Sequence, residues 1–232
     1  MKKFLIIFGL LVCGMTAQAE FVELETNVNM VNYWEKNGKD VQKIMEVGTK
    51  IINANRLEKR VPIQLETTPR VINAYSMPSS KTVKISSGIL PYMDNDDELA
   101  SVLGHEIAHS LDSYGGIMKW SMVTLNLREY EYKADLIGID LMVKAGYNPI
   151  AAITCANKWM GEDPLDFFFT HPVSSKRLMT MYKYIYKKYP WALKTDMVHN
   201  VSYENFTYAA EKEINYFHQV EKERASKKVS DL

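Results

Sequence analysis

Residues 94–109 read DNDDELASVLGHEIAH, and this single stretch decides how the fold must be built. Short polar and acidic side chains open it, which is typical of a helix N-terminus, so we expect a helix to begin near Asp96. From Leu99 onward apolar residues recur at helical spacing. The glycines at 115–116 break this pattern, so the helix should end at about Tyr114.

Two histidines lie in the middle of this predicted helix. His105 and His109 are four residues apart, so they share one helix face and can bind one metal ion, with Glu106 beside them. A chance match to this pattern is on the order of one in a hundred for this composition, so the string by itself is only suggestive. A catalytic zinc ion has three protein ligands and a fourth position for water. A third ligand is therefore expected elsewhere in the chain.

The next predicted helix, at about 118–145, offers that third ligand. Glu131 and Asp135 are four residues apart on one face, so Glu131 can bind the metal while Asp135 accepts a hydrogen bond from a ligating histidine. Acid pairs of this kind usually mark a solvated helix face. Here a short glycine turn joins this helix to the histidine helix, which favours antiparallel packing and therefore a role in metal binding.

The rest of the chain predicts an α+β fold that is mostly helical. Three β-rich segments separated by turn residues indicate a small antiparallel meander, at 61–66, 70–76 and 82–86. Apolar residues at helical spacing predict further helices at about 41–59, 149–160, 174–189 and 203–223. Because the sequence has no internal repeat and no linker, it is interpreted as one domain.

The composition excludes several classes of protein. The 232 residues include 28 Lys plus Arg and 28 Asp plus Glu, so the chain lacks the basic excess of a nucleic-acid-binding protein. Two cysteines cannot form a disulfide scaffold, and 11% aromatic residues argue against a disordered chain. We expect a globular protein that binds no nucleic acid, with its oligomeric state left open.

The N-terminal residues 1–19 have the pattern of a secretory signal peptide. Two lysines precede a short apolar run and an Ala-Gln-Ala cleavage site, so the mature chain would begin at Glu20 and form one domain over 20–232. This predicts an exported protein, with the periplasm favoured over the extracellular space. No apolar run reaches the ~20 residues that span a bilayer, so no transmembrane segment is expected in the mature chain. Cys13 leaves a lipid anchor open, although the bulky residue before it argues against one.

Four motifs occur in the order found in one family of peptidases. They lie at 73–78, 97–109, 131–149 and 171–177. In these motifs the sequence resembles the gluzincin-type zinc metallopeptidases that include the CAAX prenyl proteases and the HtpX-like bacterial proteases. Lacking the membrane spans of the prenyl proteases, it is similar to a soluble, exported branch. The resemblance implies a zincin-like fold with a core at about 61–177 and a helical extension at 178–232.

The resemblance also implies how the metal site works. His105, His109 and Glu131 would hold one Zn²⁺ per chain. The zinc would lower the pKa of a bound water to about 7. Glu106 would accept the proton as general base and later pass it to the leaving amine.

Residues 171–177 supply two further candidates. His171 would stabilise the oxyanion or act as a reversible fourth zinc ligand, unless it is an ordinary loop histidine. Arg177 would position His171 or the substrate, unless it forms a surface salt bridge. The preceding Phe167-Phe168-Phe169 would form a lid or an apolar subsite near the cleft, unless it is part of the core.

The segment around Asn73, Ala74 and Tyr75 is the candidate substrate-binding strand. An exposed strand edge can pair with an extended peptide through main-chain hydrogen bonds, although these residues can equally form an ordinary edge. The sequence therefore predicts an exported zinc endopeptidase that hydrolyses polypeptides, in particular misfolded or unfolded envelope proteins in protein quality control. The alternative, from a different class, is a zinc-stabilised chaperone or binding module with suppressed proteolysis.

Overall fold

A computed structural model describes residues 30–114, 127–158 and 174–230. Within these ranges the chain forms seven α-helices and three β-strands. In chain order they are α1 (Met30–Asn55), β1 (Ile63–Glu66), β2 (Ala74–Met77), β3 (Thr82–Ser86), α2 (Asp96–Ser113), α3 (Leu127–Lys144), α4 (Ile150–Lys158), α5 (Ser175–Lys188), α6 (Val201–Ala209) and α7 (Glu211–Ser230). The prediction of a mostly helical α+β fold with a small sheet is confirmed.

Helix α2 is the central element of the described structure. Its residues at positions 98–110 are all buried, because α1, α3, α4 and the sheet pack around it. The predicted start at Asp96 is confirmed. Asn95 Oδ1 accepts a hydrogen bond from the Glu98 N–H at 3.0 Å, and the Glu98 carboxylate accepts one from the Asp94 N–H at 2.9 Å. These reciprocal bonds satisfy amide groups that would otherwise be left unpaired at the helix N-terminus.

Two glycines allow α2 and α3 to approach closely. A Cβ atom added to Gly104 would lie 2.8 Å from the Gly138 carbonyl oxygen, and one added to Gly138 would lie 2.8 Å from the His105 nitrogen. Both distances are shorter than a carbon atom tolerates, so the helix crossing requires glycine on each side. The close approach brings the face of α3 that carries Glu131 against the histidines of α2.

The three strands form a mixed sheet in the order β1-β3-β2. Strand β3 lies in the middle, parallel to β1 and antiparallel to β2. The prediction of an all-antiparallel meander is therefore wrong. The physical reason is that the connection between β1 and β2 is anchored to the end of β3. The Ser86 N–H donates to Asn73 O at 2.9 Å, and Ser86 Oγ donates to Val71 O at 2.6 Å.

The outer helices differ from the predicted ones in detail. Helix α1 begins at Met30 and ends at Asn55, whereas the pattern predicted 41–59. The predicted helix at 203–223 is two helices, because Ala210 leaves helical geometry between α6 and α7. The break lets Phe206 and Phe217 both pack on the aromatic cluster around Tyr182. No helix in the described ranges is long and apolar enough to cross a membrane.

Candidate metal centre

The structure brings together the three residues predicted as metal ligands. His105 Nε2 lies 3.0 Å from His109 Nε2 and 3.4 Å from Glu131 Oε2, and His109 Nε2 lies 3.2 Å from Glu131 Oε1. One ligand atom from each residue falls within 4.8 Å of the others, and all three side chains are buried. Two neutral imidazoles and a carboxylate form a donor set that zinc prefers.

A carboxylate and a guanidinium support this donor set from behind. Asp135 Oδ1 lies 3.0 Å from His105 Nδ1, the ring nitrogen on the side away from Glu131. Arg177 donates to both Asp135 oxygens, from Nη2 at 2.6 Å and from Nε at 2.8 Å, and its Nη1 lies 3.1 Å from Glu131 Oε2. Such a chain of bonds fixes the orientation of a ligating imidazole. Arg177 is only 5% exposed, so it forms no surface salt bridge.

The charges of this buried cluster suit a bound cation. Glu106, Glu131 and Asp135 are three buried carboxylates, and Arg177 is the guanidinium that contacts two of them. A buried excess of negative charge is costly unless a cation balances it. A divalent ion held by this cluster would supply that balance.

The pKa values of the two histidines and of Asp135 are shifted by burial and by the charges around them. Burial acts to lower the pKa of His105, but the hydrogen bonds and charges of Asp135 and Glu131 outweigh it and raise the pKa to about 10. Burial and the neighbouring His105 charge lower the pKa of His109. Burial also acts to raise the pKa of Asp135, but the hydrogen bonds from His105 and Arg177 hold it below its usual value. Without a metal ion, the neighbouring carboxylates therefore favour a proton on His105, and that proton must leave before Nε2 can bind a metal ion.

Glu106 is buried beside the two histidines. Its side chain is fully buried, with both carboxylate oxygens inaccessible to solvent. Burial and the His105 charge lower the pKa of His109 overall, and the charge of the nearby Glu106 partly opposes them. The structure thus places the predicted general base next to the donor set.

Tyr130 is a site residue that the sequence interpretation missed. Its ring lies 4.5 Å from the His109 ring, centroid to centroid, tilted by 34°. Its hydroxyl is 3.5 Å from the carbonyl oxygen of His109. The only signal in the sequence is that Tyr130 directly precedes Glu131. An aromatic residue at that position packs against the second histidine and limits the rotation of its ring.

Asn73, Ala74 and Tyr75 lie at or next to an edge of the sheet. Strand β2 is the outer strand on its side, and the Tyr75 hydroxyl donates to Glu66 Oε1 at 2.9 Å across the sheet. Ala74 is completely buried. The side chains of this segment therefore serve the sheet itself, and what it can offer a peptide is its backbone.

Several predictions fall outside the described residues. They concern His171, Phe167-Phe168-Phe169, Cys13 and the signal segment at 1–19. Cys155 lies within the described ranges and is 3% exposed. Burial raises the pKa of its thiol, as expected of a cysteine that packs as a small apolar residue.

The fold and the site define a class of protein. A His-Glu-x-x-His helix packed against a helix that presents a glutamate is the arrangement of zinc metallopeptidases. The chain belongs to peptidase family M48, because the model of that family matches residues 35–125 and 113–185. Membership of this family implies a divalent metal, in agreement with the donor set. The narrower placement among CAAX prenyl proteases and HtpX-like proteases stays a prediction.

The chain is also similar to three mitochondrial metalloendopeptidases called OMA1. The Arabidopsis thaliana protein is 33% identical over 137 residues, which are 46% of this chain and 28% of the relative. The Saccharomyces cerevisiae protein is 29% identical over 152 residues, which are 50% of this chain and 44% of the relative. The Schizosaccharomyces pombe protein is 33% identical over 141 residues, which are 46% of this chain and 41% of the relative. The chain thus spans less than half the length of each relative.

These comparisons decide two of the predictions. The prediction of a zinc metalloendopeptidase is confirmed at the level of the family and of the relatives' names, and the alternative of a chaperone or binding module is not favoured. The predicted location is wrong. All three relatives are named as mitochondrial proteins, which contradicts a periplasmic or extracellular location inferred from the N-terminal residues.

Proposed function

We propose that this chain hydrolyses peptide bonds in unfolded polypeptides with one zinc ion held by His105, His109 and Glu131. The observation that carries the proposal is the buried donor set, with one ligand atom from each residue within 4.8 Å. When bound, zinc supplies a Lewis acid that makes a water molecule acidic at neutral pH. The segment 61–177 would form the catalytic core within a single domain, with 178–232 as a helical extension.

Glu106 would move the proton during hydrolysis. It accepts a proton from the attacking water as the water oxygen bonds to the peptide carbonyl carbon. It then donates that proton to the leaving nitrogen as the C–N bond breaks. Its complete burial supports this role, because a carboxylate shielded from bulk water exchanges protons with the reacting groups rather than with solvent.

Asp135 and Arg177 would hold His105 in the ligating orientation. With the His105 Nδ1–H bonded to Asp135 at 3.0 Å, the Nε2 lone pair is directed at the metal. Arg177 fixes the carboxylate by a bidentate contact, which a lysine could not reproduce. His171 remains the proposed donor to the oxyanion, or a reversible fourth ligand, on sequence grounds alone.

The backbone of β2 would bind the substrate. Because the Ser86 N–H donates to Asn73 O, the alternation of an antiparallel ladder turns the backbone groups of Tyr75 toward β3 and those of Ala74 and Ser76 away from it. No other strand in the described ranges pairs with that outward edge. An extended chain can bind there through main-chain bonds with little sequence preference, which suits unfolded substrates.

The decisive experiment compares the original chain with Glu106→Gln. The amide keeps the shape and removes the base, so zinc content should stay at one per chain. Cleavage of an unfolded model protein should fall by about a hundredfold or more. Glu129→Gln, an exposed glutamate of α3, is the matched control and should cut normally. Undiminished cleavage by Glu106→Gln, with zinc bound, would contradict the proposal.

A further inference from the structure

The turn that joins β2 to β3 is fastened to the C-terminal end of α2. Ser110 Oγ donates to the Lys81 carbonyl oxygen at 2.6 Å, and Lys81 Nζ donates to the Ser113 carbonyl oxygen at 2.9 Å. Lys81 Nζ also donates to the Pro78 carbonyl oxygen within the turn. One lysine therefore joins the two ends of the turn to the helix that carries His105 and His109.

The conformation of Lys81 shows that this connection is specific. Its φ is 61°, in the left-handed region that favours glycine. A residue with a side chain persists there only where its surroundings hold it in place. Lys81 is held by its backbone, through Ser110 and through its own N–H to Met77 O at 2.8 Å, and by its side chain.

The position of the ammonium group supports the same conclusion. Ser113 is the last residue of α2, where the carbonyl oxygens lack helical partners and the helix dipole attracts a cation. Glycine would suit the backbone of the turn equally well, but it could not place a cation there. The connection to α2 therefore depends on the lysine side chain of residue 81.

We propose that Lys81 is a positioning residue that holds the outward edge of β2 in register with the metal site. The proposal rests on the proposed function, in which that edge binds an extended substrate. Ser110 directly follows His109 and is completely buried, so the contact with Lys81 lies one residue from a proposed ligand. Without it, the β2–β3 turn would move relative to α2, and a bound peptide would lie less accurately over the catalytic centre.

The test compares Lys81→Met with Lys59→Met. Methionine keeps the length and the apolar stem of the side chain, and it faces the same backbone strain as lysine. Lys59 is a matched control because both lysines contact the same ring. The Nζ of Lys59 lies 5.6 Å from the Tyr114 ring centroid, and the Nζ of Lys81 lies 5.5 Å from it. Lys59 is exposed. Lys59 has no contact with the β2–β3 turn among the interactions described for it.

Two measurements are made on each variant with zinc bound. The first is hydrogen exchange of residues 74–82, which Lys81→Met should speed up by about tenfold or more, since the turn opens more often. The second is steady-state cleavage of an unfolded protein. KM should rise about fivefold or more while kcat stays within about twofold, because substrate positioning changes and the proton transfer does not. Lys59→Met should match the original chain, and Lys81→Arg should restore most of the loss.

The outcomes separate this proposal from the proposed function. The positioning role of Lys81 would be overturned if Lys81→Met had the same hydrogen-exchange rates and the same KM as Lys59→Met. Loss of zinc together with kcat would also overturn it, because that result indicates a general structural role. If Lys81→Met does not fold, Ser110→Ala removes the other bond of the same connection and should give the same exchange pattern. If the original chain cuts nothing, the proposed function fails, and the exchange data still decide whether Lys81 fastens the turn.

Discussion

Asp135→Asn tests whether the carboxylate behind His105 sets the affinity of the metal centre. The substitution keeps the size of the side chain and removes its charge. The amide oxygen can still accept from His105 Nδ1, 3.0 Å away in the original chain. The amide nitrogen is a donor, however, and would take the place of Oδ2, where it would face Arg177 Nε, which now donates to Asp135 Oδ2 at 2.8 Å. One strong hydrogen bond is replaced by two opposed donors.

The size of the effect follows from these contacts. Loss of a carboxylate that orients a ligating histidine typically weakens metal binding by about 10–100-fold. This corresponds to about 1.4–2.7 kcal/mol. The metal-free protein should also lose stability, since removing one partner of a buried ion pair costs about 3–5 kcal/mol. We expect the low end, because Arg177 keeps its contact with Glu131 at 3.1 Å.

The assay is competition for zinc between the protein and a chromophoric chelator. Asp140→Asn is the matched control, since Asp140 lies on the same helix and is bound by Tyr184, Tyr189 and Lys188 instead of by a histidine. It should bind zinc as the original chain does. A zinc Kd for Asp135→Asn within about threefold of the original would refute the reasoning, because the orienting effect of the carboxylate would then be negligible.

Three further predictions concern the helices around the site. Gly138→Ala should lower the free energy of unfolding by about 1–3 kcal/mol, because the added Cβ forces α2 and α3 apart. It should also weaken zinc binding in the same chelator assay. Unchanged stability and zinc affinity would contradict the close crossing of the two helices. Burial acts to raise the pKa of Asp140, but hydrogen bonds from Lys188 and two tyrosines lower it below 3.8. The original chain should therefore have a higher Tm than Asp140→Asn above about pH 4, and this difference should disappear as the pH falls through the folded pKa of Asp140. A difference in Tm that grows with acidity would contradict the prediction. Cys155 should resist iodoacetamide until the chain unfolds, since burial raises the pKa of its thiol; rapid labelling of the native protein, measured by mass spectrometry, would refute this.

The candidate metal ligands were predictable because their signals are local. The spacing of His105, Glu106 and His109 places them on the middle turns of one helix whatever surrounds it. The spacing of Glu131 and Asp135 does the same on the next helix, and the two glycines at 115–116 of the sequence favour antiparallel packing of the two helices. The helix start at Asp96 was equally readable, because capping bonds join residues only three or four positions apart.

The strand order and the supports of the site depended on contacts between distant residues. Whether β3 pairs with β1 in parallel, and how the β2–β3 turn meets α2, follow from packing that no periodicity encodes. The bonds from Arg177 to Asp135 span 42 positions of the chain, and the one from Ser110 to Lys81 spans 29. Such contacts arise only once the core has brought the elements together. The sequence by itself therefore determined which residues can bind a metal, and the tertiary structure decided how their side chains are held and how the β2–β3 turn is joined to the histidine helix.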